Sequence, residues 1–426
     1  MWQFVFWVSL GAVLYSYIGY PLILYIIHKL KIRVQHSYEH SYDEGETPSL
    51  CLIISAFNEE KIIRKKIENS LSLDYPRHLL SILVGSDGSD DQTRSITEDY
   101  AAHGVKLYHW PKRAGKSAVL NQVVSQLTDE IIVFTDANSL FAEDALRKIV
   151  RHFHDPKIGC VVGKLCYVDR HTTSVGKGEG LYWKYEAKLS GLESDLQSVL
   201  VANGSIFGIR RELFPELYPE VANDFQIPVD IASRNYGIIY EPEAVAIERS
   251  TIFWQEEYQR KTRIILRGLT GFMKLRKKFT GLRLWQFFSH KLLRWFIGPL
   301  LFINLFANAV LANTSAFFMW LLGLQVVFYL AALNGWRLRR ARKPHPVFYL
   351  PFYFTMVNLA AVMAIAKFIG GERTRVWEKA ESARFAPTGV SGGYAVTGLK
   401  QEPVGTSAPI RERAEAVSQP DSVAKP

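Results

Sequence analysis

The chain has 426 residues, 48% of them hydrophobic, and a formal net charge of +10. Mean hydropathy is +0.00 and the pI is near 9.3. Such a length suits one large domain plus a membrane part, and the basic clusters lie beside apolar stretches, which reads as juxtamembrane charge and argues against a nucleic-acid partner.

In chain order, residues 1–28 contain no Lys, Arg, Asp or Glu, and Lys29, Lys31 and Arg33 follow. A bilayer crossing needs about 20 residues. The stretch lacks the basic start and short core of a secretory signal. It predicts a transmembrane anchor with its N-terminus outside.

From about residue 47 to 278, strand-like and helix-like runs alternate. Apolar runs at Ser49–Ser55, Ser81–Ser86, Val105–His109 and Ile131–Thr135 predict strands. Helical spacing covers Glu59–Leu73, Asp91–Ala102, Lys116–Leu127 and Ala142–His154. This alternation predicts an α/β domain with a parallel sheet, whose ligands bind beyond the carboxyl ends of the strands. Four polar clusters punctuate it: SAFNEE (55–60), SDGSDD (86–91), TDAN (135–138) and ANDF (222–225). Asn58, Asp87 and Asp136 fall at strand ends. No GxGxxG opens a helix, and the AGKS at 114–117 lacks the first glycine of a phosphate loop, which disfavours a dehydrogenase or P-loop NTPase. Cys51, Cys160 and Cys166 make no CxxC pair; Cys51 and Cys160 sit in strand-like runs and read as buried thiols in a reducing compartment.

Residues 281–291 (GLRLWQFFSHK) suit an amphipathic helix in the membrane interface. Residues 292–371 carry about three spans. Two lie in the uncharged block 295–336, interrupted by Asn313-Thr314-Ser315 and basic on both flanks; the third is Val347–Ala366, containing Pro351. Arg373, Arg375, Lys379 and Arg384 conflict with a third crossing, so the side of the tail stays open. Residues 386–426 are rich in Gly, Ser, Pro and charge and predict disorder.

In order and spacing, the four clusters resemble the membrane-embedded family 2 glycosyltransferases of GT-A fold, the group of bacterial cellulose, poly-N-acetylglucosamine and hyaluronan synthases. The resemblance covers roughly Ser49–Arg263 and the flanking spans. It implies a GT-A domain over 47–278, with a Rossmann-like parallel or mixed sheet, flanked by transmembrane helices. Asn58 and Glu59 would contact the nucleotide, although a helix cap and first-turn acid explain them equally. Asp87 would accept from the uracil or ribose, while Asp90 and Asp91 read as caps. Lys112 and Lys116, in KRAGKSAVLN, would face the diphosphate or base. Asp136 would hold a divalent cation, Mg²⁺ or Mn²⁺, with Asn138 standing where the family pattern has a second carboxylate. Asn203 and Gly204 would line the sugar pocket, or simply turn into a strand.

Asp224 would be the general base that deprotonates the acceptor; alternatively it caps a helix over Gln226–Tyr236. QRKTRI at 259–264 falls at the family's Q-x-x-R-W motif. Arg263 matches its arginine and would neutralise the leaving diphosphate, with Arg260 on the same helix face. Ile264 stands in place of the tryptophan that would stack on an acceptor sugar; Trp254 lies nearby. The implied activity is inverting transfer from a nucleotide-sugar, a UDP-sugar by expectation, to a glycan or lipid-linked acceptor. Polysaccharide synthesis and single-sugar transfer to a lipid-linked acceptor both stay open, and a non-catalytic membrane scaffold is the reading from another class. The implied setting is a bacterial inner membrane with the domain on the cytoplasmic side. Expected partners are donor, acceptor, membrane lipids and a further subunit or second copy.

Overall fold

The computed structural model describes residues 1–30, 47–168, 174–196, 198–251, 253–339 and 345–374. Strands β1 (Leu50–Ala56), β2 (Leu80–Asp87), β3 (Val105–Trp110), β4 (Ile131–Asp136), β5 (Leu140–Phe141), β6 (Ile158–Val168), β7 (Phe207–Arg210) and β8 (Gly237–Arg249) form one sheet. Their order is β3-β2-β1-β4-β7-β6-β8-β5. Strands β3, β2, β1 and β4 are mutually parallel. Every residue of β1 is buried, as a central parallel strand covered on both faces requires. Each of its Leu and Ile side chains contributes roughly 1.5–3 kcal/mol by leaving water.

Of the parallel or mixed sheet expected, the structure has the mixed kind: β7 runs antiparallel to both β4 and β6. The reason lies in its entry point. The chain reaches β7 through Gly204, which sits beside Asp136 at the carboxyl end of β4. From there a neighbouring strand has only the reverse direction open.

Strand order reverses at β1. The chain fills β2 and β3 on one side, then places β4 on the other. Ser55 is the register partner of Asp136, so the first and third polar clusters leave the sheet side by side. This is the switch point where open α/β sheets bind ligands. Asp91–Ala102 yields only a short helix, Thr93–Glu98, before a 3₁₀ turn at Ala101–His103.

Among the described residues three helices are long and apolar enough to cross a membrane: Trp2–Leu30, Ala316–Arg337 and Pro346–Ile369. The segment expected to make the first span after residue 295 is shorter. Its helix, Ile297–Leu311, has 15 residues and rises roughly 22 Å at 1.5 Å per residue. It meets Gly281–Trp295 at a bend of 61°, and the pair counts as a fourth candidate span only together. Phe287 of Gly281–Trp295 is fully buried and packs its ring on Phe225, Phe272 and Phe279, while Leu282, Leu284 and Phe288 stay exposed. The helix expected at the interface is therefore anchored to the domain by one aromatic face. Asn304 donates to Phe6 O at 3.0 Å and Gln325 donates to Asn304 at 2.8 Å. These amide bonds join the Trp2–Leu30, Ile297–Leu311 and Ala316–Arg337 helices, a form of association suited to an apolar medium. The predicted tail, 386–426, and the basic run at 340–344 lie outside the described residues.

Candidate active site

A cavity of about 1180 Å³ opens at the carboxyl end of β4. That exceeds the 300–1,000 Å³ usual for one small ligand, so it has room for two. Lys116, Asp136, Asn138, Gly204 and Asp224 line one end. Lys116 begins the helix Lys116–Val124, whose N-cap is Gly115 at φ +94°. An L side chain rarely adopts that angle. Lys116 Nζ donates to Asp136 Oδ1 at 2.6 Å.

Asp224 lies in the first turn of the helix Asn223–Ser233. Gly204 lies between the two acids. A Cβ there would stand 3.4 Å from Asp136 Oδ2, 3.5 Å from Asp224 Oδ2 and 4.0 Å from Lys116 Nζ. Glycine thus leaves open the space on which both carboxylates converge. Burial pushes the Asp224 carboxyl above its ordinary range; Lys116 and Arg267 pull it back and Asp136 adds to the rise. A base raised toward neutrality is better matched to a hydroxyl proton.

The structure brings Lys116, Asp136, Asn138, Asp224, Arg260 and Arg263 around this cavity. It does not place Asn58, Glu59, Asp87 or Lys112 on the wall. Asn58, at φ +52°, donates to Asp90 Oδ1 at 2.6 Å and accepts from Asp90 N at 3.0 Å, fastening the first two clusters together. Glu59 is buried, and its backbone N–H donates to Thr93 Oγ1 at 2.7 Å. Asp87 accepts from the backbone of Ala114 at 2.7 Å and of Gly115 at 3.0 Å, folding the Lys112–Gly115 segment over the strand end. Lys112 is exposed. The Arg113 guanidinium lies 3.7 Å over the Phe57 ring.

Arg260 is paired with Glu179 and Glu257 and donates to Tyr167 Oη at 2.8 Å. Its charge is committed within the protein. Trp254 packs with Tyr258 against Phe352, Tyr353 and Met356 of the last membrane-type helix. Two tryptophans line the cavity, Trp183 and Trp295; Trp183 lies beside Tyr167 at 6.0 Å and Tyr182 at 5.9 Å between ring centroids.

Three further residues belong to the site. Arg267, one turn beyond Arg263, lines the cavity, acts on Asp224 electrostatically and donates to Val221 O at 2.8 Å; the four-residue spacing to Arg263 was its available signal. Glu248 on β8 lines the cavity, and Lys66 is buried behind it. Nothing local in the sequence marks either.

Asp136 and Asn138 offer a carboxylate and an amide oxygen, donors that suit a hard divalent cation. Among the described residues no three His, Cys, Asp or Glu side chains gather to hold a metal. The protein therefore fits such an ion only as part of a shell completed by phosphate oxygens.

The cavity's other end is apolar. Val347, Leu350 and Phe354 of Pro346–Ile369 and Phe328 of Ala316–Arg337 line it. Between the ends runs the helix Ser174–Ser194. Its Glu179, Glu186 and Glu193, seven residues apart, each meet polar side chains of other elements. Glu186 meets Lys291 at 2.7 Å, His290 at 3.2 Å and Arg294; Glu193 meets His290 at 2.7 Å and Tyr20 at 2.6 Å.

Residues 51–218 match the family described as Glycosyl transferase family 2. The chain is 26% identical over 302 residues to a probable glycosyltransferase, YdaM, of Bacillus subtilis, covering 65% of this chain and 71% of that protein. It is 26% identical over 217 residues to the poly-beta-1,6-N-acetyl-D-glucosamine synthase of Staphylococcus epidermidis, covering 49% of this chain and only 50% of the relative. Its fold is similar to the mannosyltransferase PcManGT of Pyrobaculum calidifontis, solved with GDP-Man and Mn²⁺. That similarity has a TM-score of 0.66 at 22% identity and covers 88% of this chain and all of that one. The polar clusters, the mixed sheet and the family match agree: residues 51–218 match the glycosyl transferase family 2 model, the fold is GT-A like, and the chain is a glycosyltransferase.

Proposed function

We propose that the protein moves a sugar, with inversion, from a nucleotide-sugar to a hydroxyl of a lipid-linked acceptor at the cytoplasmic face of a bacterial inner membrane. One observation carries this reading. A single cavity has Lys116, Asp136 and Asp224 at one end and Val347, Leu350 and Phe354 of a membrane-type helix at the other. A UDP-sugar is the expected donor. Asn58, Glu59, Asp87 and Lys112 flank the nucleotide end.

Asp224 takes the acceptor's hydroxyl proton, and the freed oxygen attacks the anomeric carbon opposite the diphosphate. Lys116, Arg263 and Arg267 offset charge on the departing diphosphate. Asp136, with Asn138, would hold a divalent cation, Mg²⁺ or Mn²⁺, which when bound draws charge from the diphosphate. Arg260 acts at a distance, through Tyr167 and the Glu179 pairing. A raised base suits a hydroxyl acceptor, since an ionised lipid phosphate needs no base.

Polysaccharide synthesis is the second reading. The Trp183, Tyr167 and Tyr182 rings favour it, because they offer a face on which an acceptor sugar can stack. Purified full-length chain, given labelled UDP- and GDP-sugars with and without Mn²⁺ and a lipid extract, separates the outcomes. One extended lipid supports single transfer, and a product ladder supports polymerisation. No turnover with any donor overturns the proposal. Unchanged product from both purified Asp136→Ala and Asp224→Asn would place the chemistry on other residues, and unchanged glycan in cells carrying either variant would return the protein to a scaffold.

A further inference from the structure

Behind the Asp136–Asn138 turn, Lys66 of the helix Ile63–Leu71 is fully buried. Its ammonium donates to the Ser139 carbonyl and lies 3.9 Å over the Phe141 ring. On the cavity side, Glu248 Oε1 accepts from Ser139 Oγ and, at 2.5 Å, from Ser205 Oγ. Ser139 adjoins Asn138, and Ser205 adjoins Gly204. One carboxylate oxygen thus ties the turn bearing Asp136 to the wall bearing Gly204. Thr135 Oγ1, donating to Ser205 O at 2.8 Å, closes the ring. A buried ammonium is costly unless compensated. Burial lowers Lys66 to about 7, with Asp136 and Glu248 opposing the fall. Lys66 is not on the cavity wall and so touches no ligand directly.

We propose that Lys66 and Glu248 are positioning residues of the transfer reaction, a charged strut that fixes the Asp136 and Asn138 oxygens against the Gly204 wall and thereby sets affinity for a cation-bound nucleoside diphosphate. The inference rests on the reading that Asp136 holds the donor's diphosphate. Shells of this kind typically change metal affinity 10–100-fold when broken.

The test uses full-length protein in detergent. Calorimetry measures binding of UDP plus Mn²⁺ and of GDP plus Mn²⁺; donor kcat, KM, pH profile and thermal unfolding are taken in parallel. Glu248→Gln keeps an oxygen for both serines and removes only charge. It is expected to weaken binding about tenfold and to raise donor KM, leaving the acid limb of the pH profile in place. Lys66→Met should act likewise. The double variant should lose no more than the worse single, because each removes the other's uncompensated charge. Glu248→Ala, which also removes the serine bonds, should lose more than Glu248→Gln. Wild-type binding by Glu248→Gln and Lys66→Met, or strictly additive losses, overturns the strut while Asp136→Ala still abolishes binding. Wild-type binding by Asp136→Ala instead overturns the donor-site reading, and the strut with it.

Discussion

Asp224 balances opposed influences. A carboxylate in the first turn of a helix is favoured by the helix dipole, and Lys116 and Arg267 favour it further, yet burial outweighs them and raises the carboxyl. Asp224→Asn is expected to lower kcat by about 10²-fold or more, while UDP plus Mn²⁺ binding, read by calorimetry, stays within a few-fold. In the proposed mechanism Asp224 must be deprotonated to act, so activity falls as pH drops through its raised value. The acid limb of kcat/KM should therefore lie above the ordinary carboxylate range. Arg267→Met removes a charge that lowers Asp224, so it should move that limb to higher pH. A limb that stays put would show that Arg267 does not act on the base. Lys116, Asp136 and Asp224 were expected from short motifs that resemble the family's, and all three line the cavity. Glu248 and Lys66 were not, because they reach the site only through sheet register and burial.

Among the elements, strand β1 was readable to within a residue, since a continuous apolar run has few other uses at that length. Leu52→Ala in its buried centre is expected to cost about 2–5 kcal/mol of stability, measured by chemical unfolding. The direction of β7 was not readable; it follows from where Gly204 delivers the chain. The Ser174–Ser194 helix shows the same limit. Its glutamates recur every seven residues in the sequence, yet their partners lie 81 residues on (Glu179 to Arg260) and 108 residues on (Glu186 to Arg294). Removing one member of a buried ion cluster strands the others. Glu186→Gln should destabilise by about 3 kcal/mol, and Glu186→Gln with Lys291→Met by less, as read from thermal unfolding in detergent. Equal losses would show that the cations there are solvated rather than stranded.

For the whole molecule, the described residues hold three apolar helices and a bent pair, and residues of both the sheet switch point and the membrane-type helices line one cavity. That these helices are long and apolar was legible from hydropathy. The bend of 61° was not, because composition says how far a helix can reach and not where its neighbours turn it. Trp183→Ala should shorten any product ladder while leaving donor hydrolysis within a few-fold, which separates acceptor stacking from donor chemistry.

One cavity with a wet end and an oily end also changes what concentration means for this reaction. With the proposed lipid-linked acceptor, the donor arrives from three dimensions and the acceptor from two. Velocity should then follow the acceptor's mole fraction in the vesicle surface, not its amount per litre. Diluting the acceptor with inert phospholipid at fixed bulk content should slow the reaction; adding more vesicles of the same composition at saturating donor should not alter its rate per bound enzyme.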